Sequence, residues 1–337
     1  MATARRARAD RAAPQAGLKG VRACPIVAGM DQCAVPVSDE VRRFIFEKRP
    51  VRGHWVRLEG AWRELRAHTD YPPAVSELLG QAVAASVLLA ATLKFRGTLT
   101  FQLQGNGAVG LLVAQCAHNF RLRAVARHEG AALRGLSGDC RRGAVFRRLV
   151  GTGGRITVTV EADEKSMRYQ SVVPLAGTSL SESLEAYFAS SEQLPTRVLL
   201  AADDTCGAGM LVQKLPDAAP SDPQEVAAAW EGAQRGLERL SPAQLLQCSA
   251  EQLLAQGFTD HDLRLFRGSP VRFECRCSQG RVAGLLRALG AEEVRDVLRE
   301  QGAVTVTCEF CHRPYRFDAA DVEALFAEGP DGSAAIH

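Results

Sequence analysis

The chain has 337 residues, of which 46% are hydrophobic and 23% are charged, a balance typical of globular proteins. Its formal net charge of +3 is too small to indicate nucleic acid or a membrane surface as a partner. The longest apolar run, residues 82–93, has about half the length that a membrane-spanning helix needs, and no secretory signal pattern is present. Ten cysteines without such a signal predict a reducing, cytoplasmic location, where clustered thiols more often bind metal than form structural disulfides.

Residues 1–37 are rich in Ala and Arg and have no apolar period, so we predict that they are disordered. From residue 38 onward the pattern is that of a folded domain. Residues 41–60 are expected to be extended chain, broken at Pro50 and Gly53. A helix that stops before Pro72 follows, and then a helix over residues 74–95 that is apolar almost all the way round and is therefore expected to be buried.

The remainder of the first domain, up to residue 220, combines hairpins and helices. Alternating segments separated by turn residues predict one hairpin over residues 98–115 and another over 155–175. Residues 179–195 carry apolar residues at helical spacing, and strands are expected at 196–202 and 208–216. Helices and antiparallel hairpins mixed in one domain, residues 38–220, predict an α+β fold.

Residues 221–270 are predicted to form a helical linker. Two capping boxes, beginning at Ser241 and Ser249, indicate short helices, and Gly232 and Gly236 should weaken the first helix. The segment has too few large apolar residues to form its own core, so it must pack on another domain. It is either a packed helical connector or a metastable element that is folded only while docked. The candidate docking, or latch, residues are Val226, Trp230, Leu237 and Leu240.

The C-terminal domain, residues 271–330 before a tail at 331–337, contains four closely spaced cysteines. A strand is predicted to lead into Cys275 and Cys277, and a strand, a tight turn and a second strand carry Cys308 and Cys311. Helices are expected at 281–289, at 291–301 with Gly302 as the C-terminal cap, and at 319–328. A domain this small usually needs an additional cross-link to be stable.

The four thiols are predicted to bind one zinc ion per chain. Two short-spaced pairs can supply the four thiolates of a tetrahedral structural site, and His312 is then interpreted as a surface residue. A static zinc ribbon is one reading. A redox switch is the other, because a disulfide across one intervening residue is strained and labile, and nearby arginines can favour the thiolate. The residues leave both readings open, and the arginines concerned are Arg272, Arg276, Arg281 and Arg313.

The six remaining cysteines are scattered, and isolated cysteines are usually small buried hydrophobic residues. Cys206 lies in a predicted loop and is expected to be incidentally reactive. No role is assigned to any of the six, which are Cys24, Cys33, Cys116, Cys140, Cys206 and Cys248.

From about residue 41 to residue 326 the chain resembles the heat-shock protein 33 family, the redox-regulated 33 kDa chaperonins of bacteria. The resemblance depends on the stretches TLKFRGTLTFQLQGNG, YFASSEQLPTR, GAGMLVQ and FECRCS with CEFCHRPYRF, which occur in the family's order. It implies that Cys275, Cys277, Cys308 and Cys311 are zinc ligands in a reduced, inactive state. The N-terminal extension and Cys206 depart from the family pattern.

The resemblance also implies a mechanism. Oxidation pairs Cys275 with Cys277 and Cys308 with Cys311, expels zinc and unfolds the C-terminal domain together with the linker. The surface exposed in this way holds unfolding client proteins without ATP, and the active form tends to be a homodimer.

Two other classes of function were weighed. A zinc-ribbon module that binds nucleic acid or protein would require a basic, aromatic-lined face, but acidic residues of the C-terminal domain offset its arginines. A thiol oxidoreductase would normally place its Cys-x-x-Cys at the start of a helix, whereas here a strand is predicted to follow. We find no phosphate-binding loop and no nucleophile with its base, so an enzyme is not expected.

Overall fold

The computed structural model describes residues 39–130, 142–163, 168–216 and 222–327. The predicted disordered segment 1–37 and the tail 331–337 lie outside the described residues. Two six-stranded sheets and a long central helix confirm the predicted α+β class. The proposed domain boundaries at residues 220 and 270 stay predictions.

The first sheet is antiparallel throughout. Its strands are β1 Glu40–Phe46, β2 Val51–Leu58, β8 Thr196–Ala202, β9 Gly207–Lys214, β10 Leu263–Leu265 and β11 Ser269–Pro270. They run in the order β10, β1, β2, β9 and β8, with β11 pairing beside β10 along β1. Two hairpins of consecutive strands, β1 with β2 and β8 with β9, are joined by the pairing of β2 with β9.

The second sheet contains both predicted hairpins. Its order is β12, β5, β4, β3, β6 and β7, and all neighbours are antiparallel except β12 and β5. Alternation of buried and half-exposed residues along β3 places one face of this sheet in the core. The bounds are β3 Gly97–Gln104, β4 Val109–Ala117, β5 Arg121–His128, β6 Arg155–Ala162, β7 Arg168–Pro174 and β12 Arg272–Phe273.

The central helix α2, Pro73–Thr92, packs between the two sheets, contacting strands of both. It is long and apolar enough to cross a membrane, yet 78% of its most apolar window is buried inside the protein, as expected for a core helix. The other helices of this part are α1 Gly60–Arg66, α3 Arg142–Val150 and α4 Leu180–Tyr187, the last continued by a π-helical turn at Phe188–Glu192.

The expected break at Gly53 was wrong, because Gly53 lies inside β2. The ring of Phe44 on the neighbouring strand occupies the position of the missing side chain. A Cβ built on Gly53 would lie 2.0 Å from Phe44 Cζ. The glycine therefore permits close approach of an aromatic ring rather than a turn.

The linker segment, residues 221–270, is helical at first: α5 Pro223–Glu238, α6 Pro242–Gln247 and α7 Ala250–Gly257. Both predicted capping boxes are present, at Ser241 and at Ser249. The helices cover the face of the first sheet that points away from α2, and they share a hydrophobic cluster with it. The strands β10 and β11, which end the segment, were not predicted.

The predicted C-terminal helices and hairpin are confirmed: α8 Gln279–Leu289, α9 Ala291–Gln301, β13 Val304–Thr307, β14 Pro314–Phe317 and α10 Ala319–Ala327. Gly302 caps α9 in the left-handed region, at φ 71°. The predicted strand before Cys275 shrinks to the two residues of β12, which pair with β5 of the second sheet rather than within the C-terminal domain.

Candidate metal and redox centre

The four predicted cysteines lie together, with their sulfurs all within 4.8 Å of one another. Cys275 Sγ is 3.4 Å from Cys277 Sγ and 3.6 Å from Cys308 Sγ, and Cys277 Sγ is 3.3 Å from Cys311 Sγ. All four are free thiols of intermediate burial. Cross-pair sulfurs are as close as the sequence neighbours Cys275 and Cys277, so distance alone does not select a disulfide pairing.

Local backbone features hold each pair in place. The first pair follows β12 and precedes α8, whose N-cap Ser278 accepts a hydrogen bond from the Arg281 amide. The second pair occupies the turn between β13 and β14. This turn is closed by hydrogen bonds from the Cys308 amide to the Arg313 carbonyl, 3.0 Å, and from the His312 amide to the Cys308 carbonyl, 2.8 Å. His312 adopts a left-handed φ of 50° to complete it.

The donor set fits a tetrahedral thiolate site. Sulfurs about 2.3 Å from one ion in tetrahedral geometry would lie about 3.8 Å apart. The three sulfur distances of 3.3–3.6 Å and the outer limit of 4.8 Å bracket that value. Four cysteines and no other ligand type form the group, so these residues can hold one metal ion.

Tyr315 is a member of the site that the sequence reasoning missed. It lies on β14, opposite Val306, and its hydroxyl donates to Cys277 Sγ at 3.0 Å. Burial opposes ionisation of Cys277, but this hydrogen bond and those of the neighbouring thiols outweigh burial and lower its pKa to about 7. The signal was available, because Tyr315 alternates with buried Phe317 along a strand adjoining the cysteine turn.

Two other thiols of the centre behave differently. Burial and the hydrogen bonds shared among the thiols raise the pKa of Cys311 to about 12, and burial likewise raises the pKa of Cys275. Of these three thiols, Cys277 is therefore the one whose thiolate is favoured in the folded centre. A tyrosine hydroxyl favours this thiolate, where arginines were expected from the sequence.

The predicted arginines are largely engaged elsewhere. Arg276 donates to Thr98 Oγ1 at 3.1 Å, and Arg281 donates to the Arg276 carbonyl at 2.9 Å. Arg272 is an exposed residue of β12. Arg313 does interact electrostatically with the cysteines, since Cys277 and Cys311 help to raise its pKa, after the larger effect of Tyr315.

The cysteine turn also contacts the second sheet. The Arg123 guanidinium lies 4.1 Å from the centre of the Phe310 ring, and Arg127 pairs with Glu309. His312 is exposed, as predicted, and its Nε2 lies 2.7 Å from Thr69 Oγ1. The centre is thus attached to the second sheet and to the segment after α1 through residues next to its ligands.

The predicted latch residues lie on the docked face of α5 and just beyond it. Val226, Leu237 and Leu240 are buried, whereas Trp230 is only half-buried against the shared cluster. Deeper contacts come from α6 and α7. Phe258, after α7, is the largest of these, packing against two phenylalanine rings of β1 with centroids 5.5–6.0 Å away.

The linker glycines promote docking as well as weakening α5. A Cβ on Gly236 would lie 2.3 Å from Phe258 Cδ1, so only glycine lets this ring approach the helix. Arg57 of β2, itself buried, donates to the Leu246 carbonyl at the end of α6. Exposed pairs of Arg42 with Glu251 and of Arg49 with Glu225 connect the same surfaces.

Among the remaining cysteines, the expected reactivity of Cys206 was wrong. Cys206 is buried beneath the linker segment, and burial raises its pKa to about 11. Cys116 is also buried, with its pKa raised by burial to about 12, and Cys248 is half-buried. Cys24, Cys33 and Cys140 lie outside the described residues.

Comparison with protein families gives a match to the family model described as Hsp33 protein over residues 39–318. The chain is 39% identical over 290 residues to a 33 kDa chaperonin of Nitrosococcus oceani, covering 86% of this chain and 95% of the relative. It is 39% identical over 301 residues to a 33 kDa chaperonin of Pseudomonas paraeruginosa, covering 88% of this chain and 98% of the relative.

A similar fold is found in the crystal structure of the 33 kDa chaperonin from Thermotoga maritima. The TM-score is 0.72 at 22% sequence identity, and the match covers 85% of this chain and 97% of that one. At this level of identity the likeness concerns the fold.

Proposed function

The chain belongs to the Hsp33 family and is a redox-regulated chaperone, and from this premise we propose that it is an ATP-independent holdase whose four-cysteine centre controls its activity. In the reduced state Cys275, Cys277, Cys308 and Cys311 would hold one zinc ion. In the oxidised state the chain would bind unfolding proteins and prevent their aggregation. We further propose that it acts in the cytoplasm, where thiols are kept reduced until stress.

The reduced state is held together at the cysteines. Zinc, when bound, joins the two cysteine pairs and adds binding free energy to the folding of a region with a small core. Tyr315 donates to Cys277 and so stabilises its thiolate, as a partner one step removed from the ligand atoms does in metal sites. The seven buried residues of the C-terminal cluster give little stability without this connection.

Oxidation would proceed through thiolate chemistry. A thiolate attacks one oxygen of peroxide and gives a sulfenic acid with release of hydroxide. A neighbouring thiol then condenses with the sulfenic acid, giving a disulfide and water. The family implies pairing within Cys275–Cys277 and within Cys308–Cys311. Paired sulfurs no longer serve as thiolate ligands, so the C-terminal region would lose the metal that keeps it folded.

Unfolding of the C-terminal region would release the linker segment. The linker helices share their hydrophobic cluster with the first sheet and have little intrinsic stability at 6–16 residues each. Releasing them would expose Phe44, Phe46 and Trp55, which are buried in the structure. We propose that this apolar surface takes part in client binding and that the active form dimerises.

The observation that carries the proposal is the convergence of four free thiols on one point in a chain of this family. The test is the light scattering of a thermally unfolding enzyme, with the chain either reduced and zinc-loaded or peroxide-treated. Suppression by the oxidised chain alone is expected. Equal suppression by both forms would favour a static zinc ribbon, and no suppression by either would contradict the holdase.

Peptide mapping of the oxidised chain tests the pairing. Fragments in which Cys275 is linked to Cys277, and Cys308 to Cys311, are expected. Predominant links between Cys277 and Cys311, which are also close in space, would contradict the proposed pairs.

A further inference from the structure

Residues 263–273, here called the covering segment, pair with an edge strand of each sheet just before Cys275. β10 pairs antiparallel with Phe44–Phe46 of β1, and β11 pairs with the start of the same strand. β12 pairs parallel with Arg121 and Leu122 of β5. One short stretch therefore covers an edge of both sheets and leads directly into the redox centre.

On β5 the covered edge is identified by its backbone hydrogen bonds. The Arg272 amide donates to the Phe120 carbonyl at 3.1 Å, and the Glu274 amide donates to the Leu122 carbonyl at 2.9 Å. Farther along, the Ala126 amide donates to the Tyr71 hydroxyl at 3.2 Å. Along any strand edge, the backbone N–H and C=O groups of every second residue point outward. If β12 leaves, the outward-pointing amides and carbonyls of β5 that it bonded become unpaired.

The side chains of the covering segment show what such an edge accepts. Leu263 and Leu265 on β10 are buried, and so is Val271, while Phe273 packs partly buried against the core and the His68 ring. These apolar residues occur two positions apart, with an arginine between the members of each pair. The covered edges of β1 and β5 therefore accept an extended chain with apolar side chains at alternate positions.

We propose that the edges of β1 and β5 that the covering segment occupies are docking sites for extended segments of unfolding polypeptides, each of which adds as a strand where the covering segment was. This inference rests on the proposed function, in that oxidation must first release the segment. Main-chain hydrogen bonds to the edge would bind any extended segment. The apolar sites that Leu263, Leu265, Val271 and Phe273 occupy would favour segments with hydrophobic residues at alternate positions, which folded proteins keep buried.

A second copy of this chain is a poorer occupant of the β5 edge. Two β5 strands paired with each other would bring Arg121, Arg123 and Arg127 of both copies to one junction. Like charges on neighbouring strands oppose pairing. An unfolding client has no such restriction.

The opposite edge of the second sheet provides an internal control. β7 is an outer strand of that sheet in the described residues, with Tyr169 and Val172 exposed. Access to β7 does not depend on the covering segment. Clients captured after oxidation should therefore contact β5 and not β7.

The first experiment replaces Arg121 on β5, or Tyr169 on β7, by the photo-cross-linker benzoylphenylalanine. Both positions are on the surface of the reduced chain. With a thermally unfolding enzyme as client, Arg121→benzoylphenylalanine should give several-fold more client adducts after peroxide treatment than before. Tyr169→benzoylphenylalanine should show no such increase.

Each other outcome of this experiment overturns the inference. Equal client labelling from both positions would show that the β5 edge has no special role. Adducts mainly between two copies of the chain would make the edge a dimer contact. If the oxidised wild type suppresses aggregation but Arg121 captures no client, this inference fails alone. If the oxidised wild type does not suppress aggregation at all, the proposed function fails.

The second experiment weakens the pairing of the covering segment with β5 in the absence of oxidant. Arg272→Pro removes the amide that bonds to the Phe120 carbonyl, and Arg272→Ala keeps that amide while losing the same exposed side chain. With one zinc per chain verified in both variants, reduced Arg272→Pro should suppress aggregation several-fold more than Arg272→Ala. Equal activity, with hydrogen exchange showing the Leu122 and Ala124 amides open only in the proline variant, would overturn the inference.

A peptide spanning residues 269–274 gives a readout that needs no variant to fold. Added to the peroxide-treated wild type, it should displace client from the chain and reduce the adducts from Arg121. A scrambled peptide of the same composition should not. If client binding is undiminished at saturating peptide concentration, the β5 edge is not where the client binds.

Discussion

The core sheets and the C-terminal region reach a folded state by different means. Among the described residues, the cluster around α2 contains 42 buried residues from four helices, both sheets and the loops between them, whereas the C-terminal cluster contains seven. Burying apolar area stabilises the first without help, but seven side chains offset little of the conformational entropy of the C-terminal residues. The region that carries the thiols is therefore the one with the least stability of its own.

This difference explains how a local chemical change can have a large structural effect. A thiol centre inserted between the core sheets would be oxidised with little consequence, because the surrounding cluster would hold. Placed beside a cluster of seven, the same centre would, under the proposed function, decide whether its region folds. The linker segment lies between these extremes, since its cluster is large but is shared with the first sheet.

The sharpest test of the comparison removes one ligand. Cys308→Ser should leave an incomplete thiolate site and lose most of a metal-binding free energy of about 10–16 kcal/mol, so the C-terminal region should unfold. Hydrogen exchange of the reduced variant should show fast exchange over residues 279–327 and wild-type protection over α2. The matched control is Cys116→Ser, at a buried thiol remote from the centre. Retained protection over residues 279–327 would show that their core suffices without metal.

The linker dock is tested by substitution at its largest buried ring. Phe258→Ala should destabilise the docked linker by about 3–5 kcal/mol, because the ring is buried between α5 and β1. The reduced, zinc-loaded variant should then suppress client aggregation without oxidant. Phe101→Ala provides the control, since it removes an equally buried ring that does not contact the linker cluster.

Trp230→Ala extends the same test to the predicted latch. Trp230 is half-buried, so its removal should weaken linker docking by less than the ~1.5–3 kcal/mol that full burial contributes. The gain in aggregation suppression by the reduced chain should therefore be smaller than for Phe258→Ala. Aggregation suppression by the reduced, zinc-bound variant is the measurement. If it stays as inactive as wild type while hydrogen exchange shows the linker open, the latch is refuted.

Tyr315→Phe tests the hydrogen bond to Cys277 in the reduced, zinc-loaded chain. Losing a donor one step removed from the ligand atoms should weaken metal binding by about 10–100-fold, so zinc should pass to a chelator faster than from wild type. The measurement is the rate of zinc transfer to a chromogenic chelator. An unchanged rate would remove Tyr315 from the account of the centre.

The smallest effect concerns the exposed ion pairs of the linker. Glu251→Gln removes the partner of Arg42 and should weaken docking by about 0.2–1 kcal/mol, with the difference from wild type shrinking as salt is added. Hydrogen exchange at α7 at low and high ionic strength measures it. The control is Glu64→Gln, which removes a carboxylate from an exposed position on α1, away from the linker.

The sequence predicted the parts of this molecule that depend on local chemistry. The capping boxes at Ser241 and Ser249 and the left-handed Gly302 follow from residues a few positions apart, and the four-cysteine centre follows from two such closely spaced pairs. Features that depend on distant partners were missed. In the covering segment the strand before Cys275 was predicted, but β10 and β11 were missed because their pairs are short and their partner strand lies more than 200 residues away. Tyr315 became visible as a hydrogen-bond donor only once β14 faced the cysteines.

The position of the covering segment also orders events during synthesis of the chain. β1 is the first strand of the described residues to be made, yet its edge partners, residues 263–270, emerge more than 200 residues later. β12 and the second cysteine pair come later still. In a nascent chain the central helix and most of both sheets are therefore made before the residues that cover their edges. Under the proposed function, the newly made protein passes once, without any oxidant, through an arrangement like the one that oxidation would restore.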